Sequence, residues 1–341
     1  MKFYNLTIKP TSPFGTPLKG DTIFGHFCWQ AAEDPELLKG GLESWIEKYP
    51  TLPFAVFSSA WPLVTEKGKT FYAMPRPSLP ATLSDNGKGK GDRCRQLKDR
   101  KEDKKRKWLL VGEDLKIILA PENYRSDDQL FDLHLSTMPL EQARPFRLLT
   151  GNRKKLSGKF EQAHNSINRL TMTTGKDGFA PFSVENTCFL PGVKLAVFIA
   201  FEDDATDIKK IEQAFIKIGN WGYGRDASAG LGRFDVTGVH ELSFPQRKSR
   251  SCYTLAPCVP DKNVFSESYF TPFIRFGKHG ASLLYTGKPF KNPIVMADEG
   301  AIFFTDDKNI FKKQYIGQAA CGLSKADKHT VAQGYSLYLP C

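Results

Sequence analysis

The sequence predicts an α+β protein, because two strand–helix units frame residues 1–243. Near the N-terminus, residues 4–9 alternate between apolar and polar side chains, and a helix with an apolar stripe begins at Asp21. Further along, an apolar interior strand over residues 194–201 precedes a helix whose apolar residues recur at helical spacing over residues 208–218. Together these units form the two halves of a ferredoxin-like (RRM-like) sheet with large hairpin and loop insertions between them.

Three residues mark the predicted helix ends. Asp21 is the expected N-cap of the first helix, and Thr206 or Asp207 caps the later one. Gly219 stands at the left-handed C′ position that ends this later helix. A further helix opens at Pro35, and a buried strand follows at residues 54–61.

Two insertions interrupt the predicted domain of residues 1–243. Over about residues 62–120 the pattern breaks up into a Pro-rich stretch and a lysine-rich block, Lys88–Lys107, which has too little apolar surface to order itself and is expected to be a mobile loop. The second insertion, about residues 140–183, is rich in basic, amide and hydroxyl side chains and predicts a protruding ribbon or loop.

A second unit, mixed α+β and either ferredoxin-like or β-rich, is predicted for residues 250–341. Short strands are expected there, and they are Phe270–Arg275, Ser282–Tyr285, Ile294–Ala297, Ala301–Thr305 and Gly334–Leu339.

The charge of the chain points to an anionic partner. The 341 residues carry a net charge of +11, which favours nucleic acid or a membrane surface. The charge is uneven, because Lys88–Lys107 holds eleven Lys/Arg against four Asp/Glu. That block is therefore either a solvated insertion or a non-specific RNA contact.

Cysteine spacing and hydropathy exclude other classes. The seven cysteines are scattered without a C-x-x-C pair, so a structural metal is not expected. We expect reduced thiols in a cytoplasmic protein. The longest apolar run, Leu195–Phe201, is too short to cross a bilayer, and no membrane partner is predicted. No phosphate-binding P-loop or nucleophile elbow occurs, and no cofactor is expected.

One stretch, Gly219–Phe234, is the strongest candidate for a ligand contact, and we call it the glycine loop. Five of its sixteen residues are glycine, with Arg225 and Arg233 between them. Glycine lets a ligand approach the backbone, frees N–H groups for phosphate, and leaves Trp221 or Tyr223 to stack on bases. The alternative is a flexible turn between a helix and a strand.

A second candidate is the tip segment His164–Thr174, HNSINRLTMTT. It is dense in hydrogen-bonding side chains, which suit recognition of splayed single-stranded RNA, although a satisfied surface loop has the same composition.

These pieces carry a family resemblance. The N-terminal SPFGTPLKGDTIFGHFCW, the tip segment, the glycine loop with its trailing RFDV strand, and the C-terminal PIVMADEGAIFF and VAQGYSLYLP resemble the RAMP superfamily of CRISPR-associated RNA-binding proteins. Within it, they are most similar to the fourth subunit of the Csm (type III-A) effector complex.

The resemblance implies a non-catalytic antiviral ribonucleoprotein subunit that binds the repeat-derived 5′ handle of the guide RNA. It also implies two protein partners, the large palm-domain subunit and the first backbone RAMP subunit, with target RNA contacted only indirectly. A thumb-like hairpin would separate handle from guide.

The predicted RNA-binding residues come from the start of the first helix, the tip segment and the glycine loop. They are Lys19, Gly20, His164, Asn165, Ser166, Asn168, Arg169, Thr171, Thr173, Thr174, Trp221, Gly222, Tyr223, Gly224, Arg225, Ser228, Gly230, Gly232 and Arg233.

Two other functions fit the same residues. Related RAMP nucleases cleave repeat RNA without metal by histidine acid–base chemistry, and His26 on the first helix is the candidate base, although a packed histidine is the plainer interpretation. Alternatively, the glycine loop packs on a neighbouring subunit and the chain is a pure protein–protein scaffold.

Overall fold

The computed structural model describes residues 1–80, 98, 100–175, 178–245, 249–279, 285, 287–307 and 309–341. Most of the lysine-rich block Lys88–Lys107 lies outside these residues, as does the predicted strand Ser282–Tyr285 except for Tyr285. The described end of the block, residues 100–105, is helical, so that part is not the loop that composition predicts.

A seven-stranded sheet forms the centre of the N-terminal region. Its strands are β1 (Lys2–Pro10), β2 (Ala55–Glu66), β3 (Lys69–Pro75), β4 (Trp108–Gly112), β5 (Tyr124–Arg125), β8 (Leu195–Phe201) and β9 (Phe234–Glu241). They lie in the order β5–β4–β3–β2–β8–β1–β9, and every neighbouring pair is antiparallel. All seven side chains of β8 are buried, as the apolar run at this position predicts.

Besides the helical residues 100–105, the α-helices of the described ranges are α1 (Gly20–Glu33), α2 (Leu42–Lys48), α3 (Asp127–Thr137), α4 (Leu140–Ala143) and α5 (Ile208–Trp221). α1 packs on β2, α5 packs on β9, and the two helices also contact each other. Phe57 of β2 lies between them, with its ring centroid 5.4 Å from that of Phe27 and 5.9 Å from that of Phe215. Aromatic burial of this kind orders the helix layer on the sheet.

The structure corrects two of the predicted helix ends and confirms the third. Asp21 lies in the first turn of α1 and pairs with Arg275, so it is not the N-cap, which is Lys19. Gly219 lies inside α5, and the residue with positive φ is Gly222, one turn later, at +106°. The Asp207 carboxylate does cap α5, accepting a hydrogen bond from the Lys210 N–H.

The prediction that order is lost from residue 62 to 120 is also wrong over much of that range. β2 continues to Glu66, and β3 and β4 extend the sheet beyond it. Met74, Leu109 and Val111 are fully buried. Their apolar segments are short and separated by the lysine-rich block, so local sequence patterns do not predict that β3 and β4 pair.

Two strands of the second insertion form a separate ribbon that we call the projecting ribbon. β6 (Ser157–His164) pairs with β7 (Phe182–Phe189) over eight antiparallel positions. It lies where the sequence predicts a protruding ribbon or loop. Most of its side chains are exposed on both faces, so it is not part of the core.

The C-terminal region builds a five-stranded sheet and a second ribbon. The strands are β10 (Ser251–Thr254), β11 (Glu267–Tyr269), β12 (Pro272–Arg275), β13 (Ile294–Ala297), β14 (Ile302–Phe304), β15 (Tyr315–Gly317) and β16 (Tyr335–Pro340). The sheet has the order β11–β14–β10–β16–β15, while β12 and β13 pair with each other.

This C-terminal sheet shares one hydrophobic cluster with the N-terminal region, through residues such as Tyr253, Leu337 and Leu339. Tyr335 donates from its hydroxyl to the carbonyl of Pro50, 2.8 Å away. The predicted domain boundary at residues 243–250 therefore stays a prediction, since the two regions share one hydrophobic core.

No helix in the described part of the chain is long and apolar enough to cross a membrane. The six cysteines outside the undescribed ranges are free thiols.

Candidate nucleic-acid interface

The backbone of the glycine loop is tied down along its length. The Tyr223 N–H donates to the Gly232 carbonyl at 2.9 Å, the Gly232 N–H to the Pro13 carbonyl at 2.7 Å, and the Arg233 N–H to the Ser12 hydroxyl at 2.8 Å. The loop is thus a closed structure fastened to the segment between β1 and α1. It is not the flexible turn that the glycines alone allow.

The expectation that Gly222, Gly224 and Gly230 free their N–H groups for phosphate is wrong. Gly222 donates to the Ile218 carbonyl, Gly224 to the His26 ring and Gly230 to the Ala227 carbonyl, each within 2.9 Å. A backbone donor already satisfied inside the protein contributes little to a ligand.

Two glycines are required for internal packing. Gly232 has a φ of +74°, and a Cβ there would lie 2.1 Å from the Tyr223 carbonyl oxygen. At Gly222 a Cβ would lie 2.4 Å from the Leu231 carbonyl oxygen. Gly230, by contrast, has open space where a side chain would be. Close approach of the loop to itself, not to a ligand, explains the first two positions.

Tyr223 and His26 form the buried support of the loop. Tyr223 is 1% exposed, its hydroxyl donates to the Pro17 carbonyl at 3.0 Å, and its ring centroid is 4.6 Å from that of His26. The His26 Nε2 accepts the Gly224 N–H at 2.9 Å, and burial lowers the pKa of this imidazole to about 4. The nitrogen that would act as a base is therefore already engaged.

The polar side chains of the loop divide into two groups. Arg225 donates to the Glu185 carbonyl at 2.8 Å and to the Asn186 Oδ1 at 2.9 Å, which clamps the loop to the middle of β7 in the projecting ribbon. Arg233 and Ser228 are exposed, and Trp221 presents 69% of its surface to solvent.

The projecting ribbon carries the tip segment away from the glycine loop. Phe14 exchanges backbone hydrogen bonds with Thr187 at the ribbon base, close to where Arg225 binds. Glu185 pairs with Glu161, so the Arg225 contact lies three residues before His164 along β6, or about 10 Å at the rise of an extended strand. The predicted surfaces are therefore connected through the ribbon, but they do not converge on one pocket.

Inside the tip segment, several of the predicted hydrogen-bonding groups satisfy one another. Asn168 accepts the Leu170 N–H through its Oδ1 at 2.9 Å, and the Thr171 and Thr173 hydroxyls lie 2.9 Å apart. The ring of His164 stacks on Phe182 with centroids 5.4 Å apart, and its Nε2 is buried without a partner in the described part of the chain.

Other predicted residues of the tip segment remain on the surface. Asn165, Arg169 and Thr174 are exposed, and Ser166 is half-buried.

Sequence reasoning overlooked the apolar residues of the same tip. Leu170 is 96% exposed, and Ile167 and Met172 are also largely exposed. Their alternation with polar residues in a segment that fails to match any core pattern was the available signal. A tip that combines amides, a cation and exposed apolar side chains can contact both bases and phosphates.

Lys19 and Gly20 are internal. The Lys19 side chain is 13% exposed, and its ammonium lies 2.5 Å from Asp298 and 2.7 Å from Glu299 on the turn between β13 and β14. Gly20 is buried, and a Cβ there would lie 2.3 Å from the Phe57 carbonyl oxygen. Burial raises the pKa of the Glu299 carboxyl to about 7.

A cavity of about 320 Å³ opens beside Lys19, between the ribbon base and the sheet. Its walls are largely aromatic and apolar, and they include Phe14, Trp61, Trp108 and Phe189. The local sequence offers no sign of it, because the walls come from many segments that are distant in the chain.

No group of three or more His, Cys, Asp or Glu residues within the described ranges is arranged to hold a metal ion.

Comparison with known proteins relates the fold to solved complexes. No protein-family model matches the chain, and no curated protein does. A chain of the Csm3–Csm4 subcomplex of the type III-A CRISPR-Cas interference complex superposes with a TM-score of 0.56 and 17% identity, covering 100% of this chain and 99% of that one.

Two structures of a Csm1–Csm4 cassette, one in complex with cA4 and one with pppApA, give TM-scores of 0.52 and 0.51 at 16% identity, each covering 100% of this chain and 98% of the other. The match runs the full length of both chains. This protein therefore has the α+β fold of a component of type III-A CRISPR-Cas complexes.

Proposed function

We propose that this chain is a non-catalytic subunit of a type III-A CRISPR effector complex. In this role it binds the 5′ handle of the guide RNA and joins the large palm-domain subunit to a backbone RAMP subunit. Csm4 is the component common to the similar Csm1–Csm4 and Csm3–Csm4 structures, which supports a subunit that meets both partners.

The sheet topology supports a ferredoxin-like core within this proposal. The central order β2–β8–β1–β9, with α1 after β1 and α5 between β8 and β9, is that of a split β-α-β repeat. The edge strands β3 to β5 and the projecting ribbon are then additions to that core.

The observation that carries the RNA-binding part is the projecting ribbon itself. It is clamped at the middle of β7 by Arg225 and presents an exposed tip with Arg169 and amide side chains. A ribbon exposed on both faces buries little in the monomer, so its ordered tip has surface to offer a strand of RNA.

The residues proposed to contact RNA are those with exposed polar or aromatic surface. They are Asn165, Arg169 and Thr174 of the tip, and Trp221, Ser228 and Arg233 of the glycine loop. Gly20, Gly222, Gly232 and Tyr223 instead hold the local fold, and Arg225 positions the ribbon.

A double variant tests the RNA contact. Arg169→Ala with Arg233→Ala is expected to weaken binding of handle RNA by about 2–4 kcal/mol, at ~1–2 per charge-assisted contact. Fluorescence anisotropy with the full chain measures the affinity. Lys262→Ala with Lys312→Ala removes the same charge from exposed lysines of the C-terminal region and is the matched control. Equal affinities for the two double variants would contradict the assignment.

Salt dependence separates this proposal from a pure protein scaffold. Binding through several phosphates weakens steeply as salt rises, whereas docking of an apolar protein surface does not. Nuclease activity is tested with labelled repeat RNA in EDTA. Cleavage that disappears in His26→Ala would overturn the non-catalytic role, which the engaged His26 ring supports.

A further inference from the structure

The ribbon formed by β12 and β13 has a regular two-faced structure. Ile274 pairs with Val295, and the pairing continues past the strands to a bridge between Lys278 and Phe290. Exposure alternates along the first strand, since Ile274, Phe276 and Lys278 are exposed while the residues between them are not. We call this structure the basic ribbon, and the exposed side its front face.

The back face anchors the basic ribbon to α1. Arg275 makes a bidentate ion pair with Asp21, with one nitrogen 2.7 Å from the Asp21 Oδ1. The Lys19 ammonium lies 4.5 Å from the ring centroid of Phe273, and His279 lies 2.7 Å from the Ser324 hydroxyl. These buried contacts hold the front face in a defined orientation.

The front face is apolar and aromatic where an exposed strand normally carries polar residues. Phe276 is 75% exposed, Phe290 64% and Val295 62%. The Lys278 ammonium lies over the Phe290 ring, 5.5 Å from its centroid. A rigid exposed platform of aromatic rings beside cations suits stacking of unpaired bases.

The basic ribbon itself carries charge of one sign. From Thr271 to Ala297 the sequence contains Arg275, Lys278, Lys288 and Lys291 and not one Asp or Glu. Arg275 is neutralised by Asp21, but Lys278 and Lys288 remain exposed. An apolar face whose own exposed charges are lysines is complementary to a polyanion that also carries flat apolar rings.

The basic ribbon and the glycine loop share their support. The anchor residues of the ribbon, Asp21 and Lys19, lie at the start of α1, directly after the segment whose Pro17 carbonyl binds Tyr223 of the glycine loop. Both structures are therefore fastened to the same short segment of the chain, residues 17–21.

We propose that the front face of the basic ribbon binds single-stranded RNA, with bases stacked on Phe276 and Phe290 and phosphates near Lys278 and Lys288. This rests on the proposed function, because it extends the path of the same RNA. None of these residues belongs to the RNA-binding set that the sequence predicts.

Fluorescein-labelled oligouridine, long enough to span the glycine loop and the basic ribbon, is the probe. Phe276→Ala with Phe290→Ala in the full chain is expected to weaken its binding by roughly tenfold or more, because base stacking is lost. Phe276→Tyr with Phe290→Tyr keeps both rings and should retain affinity. Leu52→Ala with Ile216→Ala shortens exposed apolar residues elsewhere and controls for general surface change.

A second readout locates the contact. Oligouridine containing 4-thiouridine should crosslink to peptides from residues 272–279 and 287–295 of the wild-type chain, and the Phe→Ala double variant should lose these crosslinks. Lys278→Ala with Lys288→Ala should flatten the salt dependence, lowering its logarithmic slope by roughly one.

The outcomes distinguish this inference from the proposed function. If wild-type binding is normal and the Arg169/Arg233 double variant weakens it, while the Phe double variant changes neither affinity nor crosslinks, the basic ribbon is not an RNA surface. If the Phe double variant loses a co-purifying protein subunit but binds oligouridine normally, the face is a protein interface and the inference is overturned. If the wild-type chain binds no RNA, the proposed function fails and takes the inference with it.

Discussion

The glycine loop and the tip segment have similar compositions, but their side chains and backbone groups face opposite ways. Both are rich in small and polar residues with interspersed arginines. In the glycine loop the backbone donors and the Tyr223 ring turn inward, onto Pro13, His26 and Pro17. In the tip segment the backbone closes a small turn, and Arg169, Leu170 and Met172 project into solvent.

The difference shows that glycine density is not a measure of ligand contact. Where a loop packs against several neighbours, glycine is needed for the chain to approach itself, and substitution is costly. Where a loop extends from a ribbon, its side chains are free of the core and their chemistry can be chosen for a partner. The glycine loop positions the ribbon, and the tip offers the surface.

The largest expected effect tests the internal role of the glycine loop. Gly232→Ala should lower the free energy of unfolding by more than about 3 kcal/mol, because the new Cβ meets the Tyr223 carbonyl in a positive-φ residue. Gly230→Ala, also at positive φ but facing open space, should cost only about 1–2 kcal/mol. Urea denaturation measures both. Equal costs would mean that the loop is looser than its contacts indicate.

The next effect concerns two buried groups whose pKa values are shifted in opposite directions. The His26 pKa is lowered to about 4, so the protonated imidazole of the unfolded chain disfavours folding, and stability is lost as pH falls from about 6.5 to 4. The Glu299 pKa is raised to about 7, so the native state holds its proton more tightly, and stability is lost as pH rises from about 4.5 to 7.

Single variants separate these two contributions, each about 1–3 kcal/mol. His26→Gln keeps an acceptor for the Gly224 N–H and should make stability fall with rising pH more steeply than in the wild type. Glu299→Gln should have the opposite effect over the same range. His240→Gln, at an exposed position, is the control for histidine replacement. Unfolding midpoints between pH 4 and 7.5 that shift in parallel for all variants would contradict the assignment of these groups.

A smaller effect tests the clamp between loop and ribbon. Arg225→Ala removes the bonds to Glu185 and Asn186 and should cost about 1–2 kcal/mol. Hydrogen exchange should accelerate across β6 and β7 more than in β8, since local opening of the ribbon becomes easier. Arg169→Ala, at the tip, should leave exchange in the ribbon strands unchanged. Faster exchange in both variants would mean that the Arg225 contact is not what holds the ribbon.

The smallest effect is expected at the apolar tip. Leu170→Ser with Met172→Ser should change the free energy of unfolding by no more than about 0.5 kcal/mol, because these side chains pack on little in the monomer. The same substitution in a core pair such as Leu109 and Val111 should prevent cooperative folding. A stabilised tip variant would fit the removal of an exposed interaction surface.

Local patterns predicted the elements whose signal is periodic and contiguous. β1, α1, β8 and α5 have alternating or helical apolar spacing, and the structure places strands and helices there. β3 and β4 were missed because their apolar residues are few and the lysine-rich block separates them. Because a glycine inside a helix is uncommon, Gly219 predicts the end of α5, but the helix continues through it. Glycine is required at this position because Phe234 packs so closely on it that no side chain fits.

Among candidate site residues, the sequence determined which chemistry each side chain could offer, but not which side chains face solvent. Tyr223, Lys19 and Arg225 are residue types that are common in RNA-binding sites. In this protein, however, each side chain is bound by a residue distant in the chain. Phe276 and Phe290 fit an ordinary core, and they are exposed. Composition and periodicity thus determined an α+β protein and predicted an anionic partner. The tertiary structure alone decided which surface is available to such a partner. Long-range contacts, which no local pattern encodes, bind some polar groups inside the protein and leave others in solvent.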